Sequence, residues 1–477
     1  MNRLARMMAL TLALLCLFTI GAGVAAARLL PPRLALFQLP MISARGLAQP
    51  DGSVLARATG STSANAGGGG GATSAGVAAS LDGLMRSGDL GSRVGALVTD
   101  LSTGQVLYSL NPAVGLAPAS TTKIATAVAA LATLGPGARF TTKVRIGAVR
   151  SGPGARGQAS IVLVGGGDPT LAAGRYPAAD YPQPATLSSL AAAAARALHA
   201  RGISSVRLRY DDTLLGGAQV ARGWAPLRAT GNYVSSGNFA PITGLEVDQG
   251  RLTARGRPED SDDPANFRPR SLTPSKDAAR AFAAFLRKDG ITVKGTPAPG
   301  HAPRTGRVLA EVRSPALAEI VQQMLTESNN VIAETLARQV AVATRLKVTG
   351  VHLYDGSGLS PLDRISPRAL VSLVTLAARS GPLSLRPVIT GMPVAGFSGT
   401  LGPGSFFGPF GPTALGTVRA KTGNLTHVAT MAGVAYTAGG QLLGFAFMGN
   451  DITQRLATRP EAMLAKLATA LAGCGCA

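Results

Sequence analysis

Pro118-Ala119-Ser120-Thr121-Thr122-Lys123 is the stretch on which the reading of this chain turns. It opens an alanine-rich run, Thr121 to Leu134, that predicts a helix stopped by Gly135-Pro136-Gly137. Ser120 and Lys123 are spaced i, i+3, which puts both side chains on one helix face, a turn apart. Two more short motifs follow in order, Ser328-Asn329-Asn330 and Lys421-Thr422-Gly423. Each alone is weak. A Ser-x-x-Lys arises by chance roughly once per two chains of this size. Ser63-Ala64-Asn65 and Ser236-Gly237-Asn238 also match Ser-x-Asn. The ordered trio, each member in a fitting context, carries the argument.

A serine hydroxyl needs a base to become a nucleophile. Lysine serves only when neutral, and moving its pKa from about 10.4 to near 7 takes about 4–5 kcal/mol. Burial and a second cation supply that. Lys421, brought alongside from a strand, is the candidate second cation. Ser328 and Asn330 fall inside a helical pattern running from Pro315 to Ala343, within the polar cluster Thr326-Glu327-Ser328-Asn329-Asn330. Such a cluster weakens a helix. Either it is an exposed polar face, or the helix breaks there and projects Ser328 and Asn330 into a cleft. In the second case Ser328 relays a proton from Lys123 to a leaving amine, and Asn330 holds Lys123 and a substrate amide. Lys421-Thr422-Gly423 reads as the end of a strand. Lys421 and Thr422 are candidates for binding a carboxylate, and Gly423 for letting a substrate backbone come close. The backbone N–H groups of Ser120 and Asn424 are candidates for an oxyanion hole. Taken singly, Lys123 reads as well as a solvated lysine behind a helix cap, and Lys421 to Gly423 as an ordinary strand-to-turn junction.

Outward from these motifs, Val94 to Asp100 and Gln105 to Leu110 read as a hairpin turned at Leu101-Ser102-Thr103-Gly104. Gly416 to Ala420, His427 to Tyr436 and Leu442 to Met448 read as three late strands, and Ile452 to Leu471 as a closing helix. Two early and three late strands close one antiparallel sheet flanked by helices. Between them lies an inserted α+β region, with strands at Ser160 to Val164 and Val206 to Tyr210 and helices at Ala185 to Ala200 and Lys276 to Lys288. Gly165-Gly166-Gly167-Asp168-Pro169 lacks a following Gly-Lys-Ser/Thr and reads as a turn rather than a phosphate loop. The expected organisation is a signal or anchor over 1–27, a tether over 28–80, and a catalytic domain in two segments, 81–143 and 305–477, interrupted by the insertion over 144–304.

The N-terminus carries Arg3 and Arg6, then an uncharged apolar run from Met7 to Ala27 ending in Ala25-Ala26-Ala27. It predicts export, with the segment either cleaved as a signal peptide or kept as a membrane anchor. A Ser, Thr, Ala and Gly stretch, Ser61 to Gly76, predicts a flexible tether. The whole chain has 477 residues, 46% hydrophobic, and a net charge of +22. That charge predicts attraction to polyanions. With aromatics at only 4% and no stacking motif, an anionic wall polymer or membrane surface fits better than nucleic acid. Cys474 and Cys476 lie in a Gly-rich tail, where a Cys-x-Cys ring would be strained, so a frayed tail is expected. His199, His301 and His352 share no ligand spacing, and His427 reads as structural, so neither a metal nor a cofactor is expected.

The trio resembles the low-molecular-mass, class C penicillin-binding proteins, the D-alanyl-D-alanine carboxypeptidase/endopeptidases. The resemblance extends to Gly166-Gly167-Asp168-Pro169, Tyr354-Asp355-Gly356-Ser357-Gly358-Leu359-Ser360, Leu362 to Pro367, Pro393-Val394-Ala395-Gly396 and Gly399-Thr400-Leu401. It covers roughly residues 80 to 470. It implies an α/β transpeptidase fold shared with serine β-lactamases. It also implies a serine acyl-enzyme on Ser120 that removes terminal D-Ala, or cleaves D-Ala cross-links, in peptidoglycan peptide stems, with β-lactams as covalent inhibitors. Asn329 departs from the family, which often has Asp there. No deacylating carboxylate is identified, so a penicillin adduct should leave slowly. Asp355 and Ser357 read as cleft-shaping or as a plain loop turn. Two other readings stand beside this one: a β-lactam or ester hydrolase using the same nucleophile, and a catalytically idle wall-binding protein.

Overall fold

The computed structural model describes residues 72–474, apart from 151–157, 175, 177, 179–180, 226–232, 253–268, 304–305, 345–352, 380–382 and 454–457. The expected signal or anchor (1–27) and most of the expected tether lie outside the described residues. The tether's C-terminal end is corrected. Ser74–Met85 is a helix, α1, capped by the Thr73 hydroxyl, which accepts from the Gly76 N–H at 3.1 Å. Val77, Leu81 and Met85 recur every four residues and are all buried, which gives this Ser/Ala/Gly segment an apolar stripe to dock.

Along the chain follow β1 (Arg93–Asp100), β2 (Val106–Leu110), α2 (Thr122–Leu134), β3 (Thr141–Arg150), β4 (Gln158–Val164), α3 (Leu187–His199), β5 (Ser205–Asp211), α4 (Pro274–Lys288), β6 (Thr292–Val293), β7 (Ala298–Pro299) and β8 (Arg307–Arg313). Then come α5 (Leu317–Thr326), α6 (Asn330–Thr344), α7 (Pro367–Arg379), α8 (Arg386–Thr390), β9 (Val418–Leu425), β10 (Val428–Tyr436), β11 (Leu442–Asn450) and α9 (Pro460–Ala472).

The first sheet runs β2-β1-β11-β10-β9 and is antiparallel throughout. It joins the two early strands to the three late ones, as the sequence predicts. Strand alternation gives it two apolar faces. Ala96, Val98, Phe445 and Phe447 pack with Val77, Leu81, Leu464 and Leu467 of α1 and α9. Leu97, Ala446 and Met448 pack on the other side with Ile124, Leu131, Ile320, Leu336 and Val374 of α2, α5, α6 and α7. The result is a helix–sheet–helix sandwich, the α/β arrangement expected. β9 is one of the two edge strands and lies beside the start of α2.

The second sheet runs β6-β5-β4-β3-β8, with β7 also pairing β5. β4, β5 and β6 are parallel, while β3 is antiparallel to both β4 and β8. The inserted sheet therefore begins before residue 144 and runs past residue 304. Leu190, Ala194 and Leu198 of α3 and Phe282 and Leu286 of α4 cover it.

Three sequence expectations are corrected. The single helix from Pro315 to Ala343 is two helices, α5 and α6, because the backbone turns left-handed at Ser328 (φ +53°). The late strand drawn over Gly416 to Ala420 is β9, whose pairing with β10 runs unbroken to Leu425, so Lys421-Thr422-Gly423 lies inside the strand and not at its end. The closing helix starts at Pro460, where the missing N–H suits a first helical position. Cys474 is also not frayed: it is 2% exposed and disulfide-bonded.

The insertion carries a buried acid, Glu246, whose pKa burial pushes up to about 8, against the opposing pull of Arg270. A raised carboxyl pKa means the folded state holds its proton while the unfolded state ionises, so this stability is complete below about pH 4.5 and is lost as pH rises toward 8. Glu246→Gln, which cannot ionise, is expected to gain stability relative to the parent chain between pH 5 and pH 8. Urea midpoints at the two pH values check this, and a pH-independent difference would contradict it.

Candidate active site

Ser120 sits in a short 3₁₀ turn, Ala119–Thr121, that feeds α2. Ala119 has φ +47°, a backbone conformation that costs a residue with a Cβ about 1–2 kcal/mol. The surroundings hold it there. The Pro118 carbonyl accepts from the Thr121 and Thr430 hydroxyls, each at 2.7 Å. The Asn450 side chain at the end of β11 accepts from the Ala117 N–H (2.7 Å) and donates to the Ala117 carbonyl (3.1 Å). The strain falls on the residue next to the nucleophile, and the sheet fixes it.

Lys123 is fully buried at the start of α2, one turn after Ser120. Its Nζ lies 2.8 Å from Ser120 Oγ, 2.7 Å from Asn330 Oδ1 and 2.8 Å from the Ser357 carbonyl oxygen. An amide oxygen and a carbonyl oxygen only accept. A neutral amine in this place therefore aims its two N–H bonds at Asn330 and Ser357, and its lone pair at the Ser120 O–H. The ammonium form donates to all three. A proton can leave Ser120 along a bond already made, with no rearrangement.

The break between α5 and α6 builds the next element of the site. Asn329 caps α6, its Oδ1 accepting from the Ile332 N–H at 3.1 Å. Its Nδ2 donates to Gln249 Oε1 of the insertion at 2.9 Å. An Asp at this position would cap as well but has no donor for Gln249, which gives the departure from the family a physical role. Asn330 Nδ2 donates to the Asn238 carbonyl at 3.3 Å, which turns its Oδ1 toward Lys123. Ser328 is mostly buried at the break itself.

β9 supplies the third motif, with corrections. A Cβ on Gly423 would lie 2.3 Å from Thr430 Oγ1, 2.7 Å from Pro118 O and 2.9 Å from Ser120 N. Gly423 thus lets the nucleophile's own turn approach, where the sequence suggested a substrate backbone. Lys421 is fully buried and its Nζ donates to the Thr422 carbonyl at 2.8 Å. The Thr422 and Thr400 hydroxyls are 2.7 Å apart. On the outer edge of β9, the Ala395 N–H donates to Val418 O and the Ala420 N–H to Pro393 O. Residues two apart point their backbone groups the same way. With no bulge before Leu425, Asn424 therefore points its N–H away from β10. Ser120 N lies close to β9 at Gly423, the residue before Asn424.

Behind Lys123 lies a set of acids, of which the sequence reading named Asp355 but missed the buried Glu334 and Asp363. Glu334 Oε1 accepts from the Gly356 and Ser357 N–H groups at 3.0 and 2.8 Å. The Asp355 carboxylate accepts from Gly358 N and Ser360 N, each at 2.6 Å, and from Trp224 Nε1 at 2.8 Å. Asp363 accepts from Tyr354 N at 2.6 Å. Burial, reinforced by the Asp355 charge, pushes the Glu334 and Asp363 pKa values up. Glu334 gave no local signal, since it reads as an ordinary helical Glu four residues before Arg338. His427 lies apart from this group, at the β9–β10 turn, with φ +64° and Nδ1 against the Ile452 carbonyl.

The D-Ala-D-Ala carboxypeptidase 3 (S13) family model matches residues 77–269 and 242–471. A carboxypeptidase of Mycobacterium tuberculosis is 35% identical over 426 residues, 85% of each chain. The carboxypeptidase DacB of Mycolicibacterium smegmatis is 35% identical over 428 residues, again 85% of each. The solved penicillin-binding protein 4 of Haemophilus influenzae shares the fold, with a TM-score of 0.62 at 21% identity, covering 82% of this chain and 97% of that one. The chain therefore belongs to the D-Ala-D-Ala carboxypeptidase 3 (S13) family of serine peptidases.

Proposed function

We propose that the carboxypeptidase chemistry of this chain runs through Ser120. Lys123 takes the Ser120 proton as Oγ attacks the carbonyl carbon of the penultimate D-Ala of a peptidoglycan stem. The oxyanion forms against the backbone N–H groups of Ser120 and Asn424. The proton passes from Lys123 through the Ser328 hydroxyl to the leaving nitrogen, the C–N bond breaks, and D-Ala departs. Water then cleaves the Ser120 ester and regenerates the hydroxyl. Asn330 holds Lys123 and the substrate amide. Lys421 and Thr422 attract the terminal carboxylate. The observation that carries this reading is Lys123 Nζ, buried and 2.8 Å from Ser120 Oγ, with two pure acceptors on its other sides.

β-Lactams acylate the same oxygen, since their ring amide presents the same carbonyl. Intact mass with benzylpenicillin is expected to show one adduct on the Ser120 peptide, absent in Ser120→Ala. D-Ala release from a peptide ending in D-Ala-D-Ala is expected to vanish in the same variant. A well-folded parent protein without an adduct would refute the acyl-enzyme reading. Rapid loss of the adduct with penicillin turnover would favour the β-lactam hydrolase reading.

The apolar N-terminal run and the +22 charge support an exported protein held near an anionic wall polymer or membrane surface. Fractionation of cells expressing the full chain tests it, and recovery in the cytosol would count against it.

A further inference from the structure

Lys123 depends on two acceptors besides Ser120, and both are set by the first turns of α6. Asn330 opens that helix, and Glu334 follows four residues later on the same face. Asn330 supplies Oδ1 directly. Glu334 acts at one remove, through the loop that carries the Ser357 carbonyl. Gly356 and Ser357 both donate their N–H groups to Glu334 Oε1. Fixing those two amides fixes the peptide planes on either side of residue 356. The Ser357 carbonyl lies in the next plane, whose Gly358 N–H donates to the Asp355 carboxylate at 2.6 Å, so Glu334 and Asp355 together set the loop from which that carbonyl faces Lys123 Nζ. Gly356 permits the close approach: a Cβ there would lie 2.6 Å from Ala337 Cβ and 2.7 Å from Ala333 O, on α6 itself. A charged side chain at 3% exposure needs such partners.

We propose that Glu334 is a positioning residue for catalysis, holding the Ser357 carbonyl against the Lys123 amine so that one helix end orients the general base. It touches neither substrate nor Ser120. The inference rests on the reading of Lys123 as base, and goes beyond it by naming what aims that base. A slack Ser357 carbonyl lets the amine swing, and a base misplaced by about 1 Å can lose about 100-fold in rate.

The test compares the second-order rate constant for benzylpenicillin acylation in the parent chain, Glu334→Ala and Glu334→Gln, each with a melting curve. Glutamine keeps an oxygen that accepts from both amides, so Glu334→Gln is expected to stay within about threefold of the parent, while folded Glu334→Ala falls about 100-fold. Folded Glu334→Ala acylating at the parent rate overturns the proposal. So does a Glu334→Gln protein as slow as Glu334→Ala. If Glu334→Ala does not fold, amide hydrogen exchange over residues 354–358 decides. Slow exchange in both the parent and Glu334→Gln supports the proposal, and fast exchange in the parent overturns it. A parent protein that is never acylated refutes instead the role given to Ser120 and Lys123, before any variant is compared.

Discussion

Lys123→Met is expected to fold and to acylate Ser120 about 10²- to 10⁴-fold more slowly, the usual span for loss of a general base. Methionine matches the length of lysine and fills the buried channel. It cannot take a proton. Asn330 Oδ1 and the Ser357 carbonyl lose a donor they now share, which costs about 1–3 kcal/mol for each acceptor left dry. The variant should therefore also unfold at lower urea. Lys123→Arg separates charge from proton transfer. It keeps a cation, but a guanidinium does not give up its proton, so it is expected to be as slow as methionine. Stopped-flow acylation with a chromogenic β-lactam measures both. Parent-like acylation in Lys123→Arg would show that the cation, and not its deprotonation, is what Ser120 needs.

Gly358→Ala is expected to cost about 2–5 kcal/mol and to remove acylation with it. Two effects add. Gly358 has φ +83°, which costs an L-residue about 1–2 kcal/mol. The new Cβ would also sit 1.8 Å from the Ala119 carbonyl oxygen and 2.9 Å from Thr122 Oγ1. Neither neighbour is the tip of a flexible chain, so backbone must move, at about 1–3 kcal/mol more. The backbone that moves is the residue before Ser120. Gly440→Ala is the control. It has φ +81° in the β10–β11 turn with open space around it, so only the conformational cost of about 1–2 kcal/mol applies and acylation should be unchanged. Urea denaturation and penicillin labelling of both variants check the pair. Equal losses in the two would mean that the contact with Ala119 carries no weight.

Most of the sandwich was legible because its strands are short, near-continuous apolar runs and its turns are marked by glycine. Leu101 to Gly104 announced the first hairpin. Ser120 with Lys123 was legible because helical spacing is local. The break at Ser328 was only half legible: the polar cluster marked an oddity, but left-handed backbone at a serine has no local code. What stayed hidden depends on long-range neighbours. Gly423 looked like a gap for substrate until β10 and the Ser120 turn filled it. Glu334 and the Ser357 carbonyl were hidden because one is an ordinary helical Glu and the other a backbone oxygen. α1 was missed because its stripe of Val77, Leu81 and Met85 is embedded in Gly- and Ser-rich sequence.

The outer margin of β9 has a further consequence. An open strand edge is a template for any extended chain, including another copy of the same protein. Here the segment Pro393 to Ala395 already pairs with Val418 and Ala420. Among the described residues, that backbone pairing ends at Ala420, short of Asn424. The stretch beyond it is too short to nucleate sheet growth between molecules. The covering loop thus blunts the edge against self-association, and removing its pairing would lengthen the bare stretch and favour clumping.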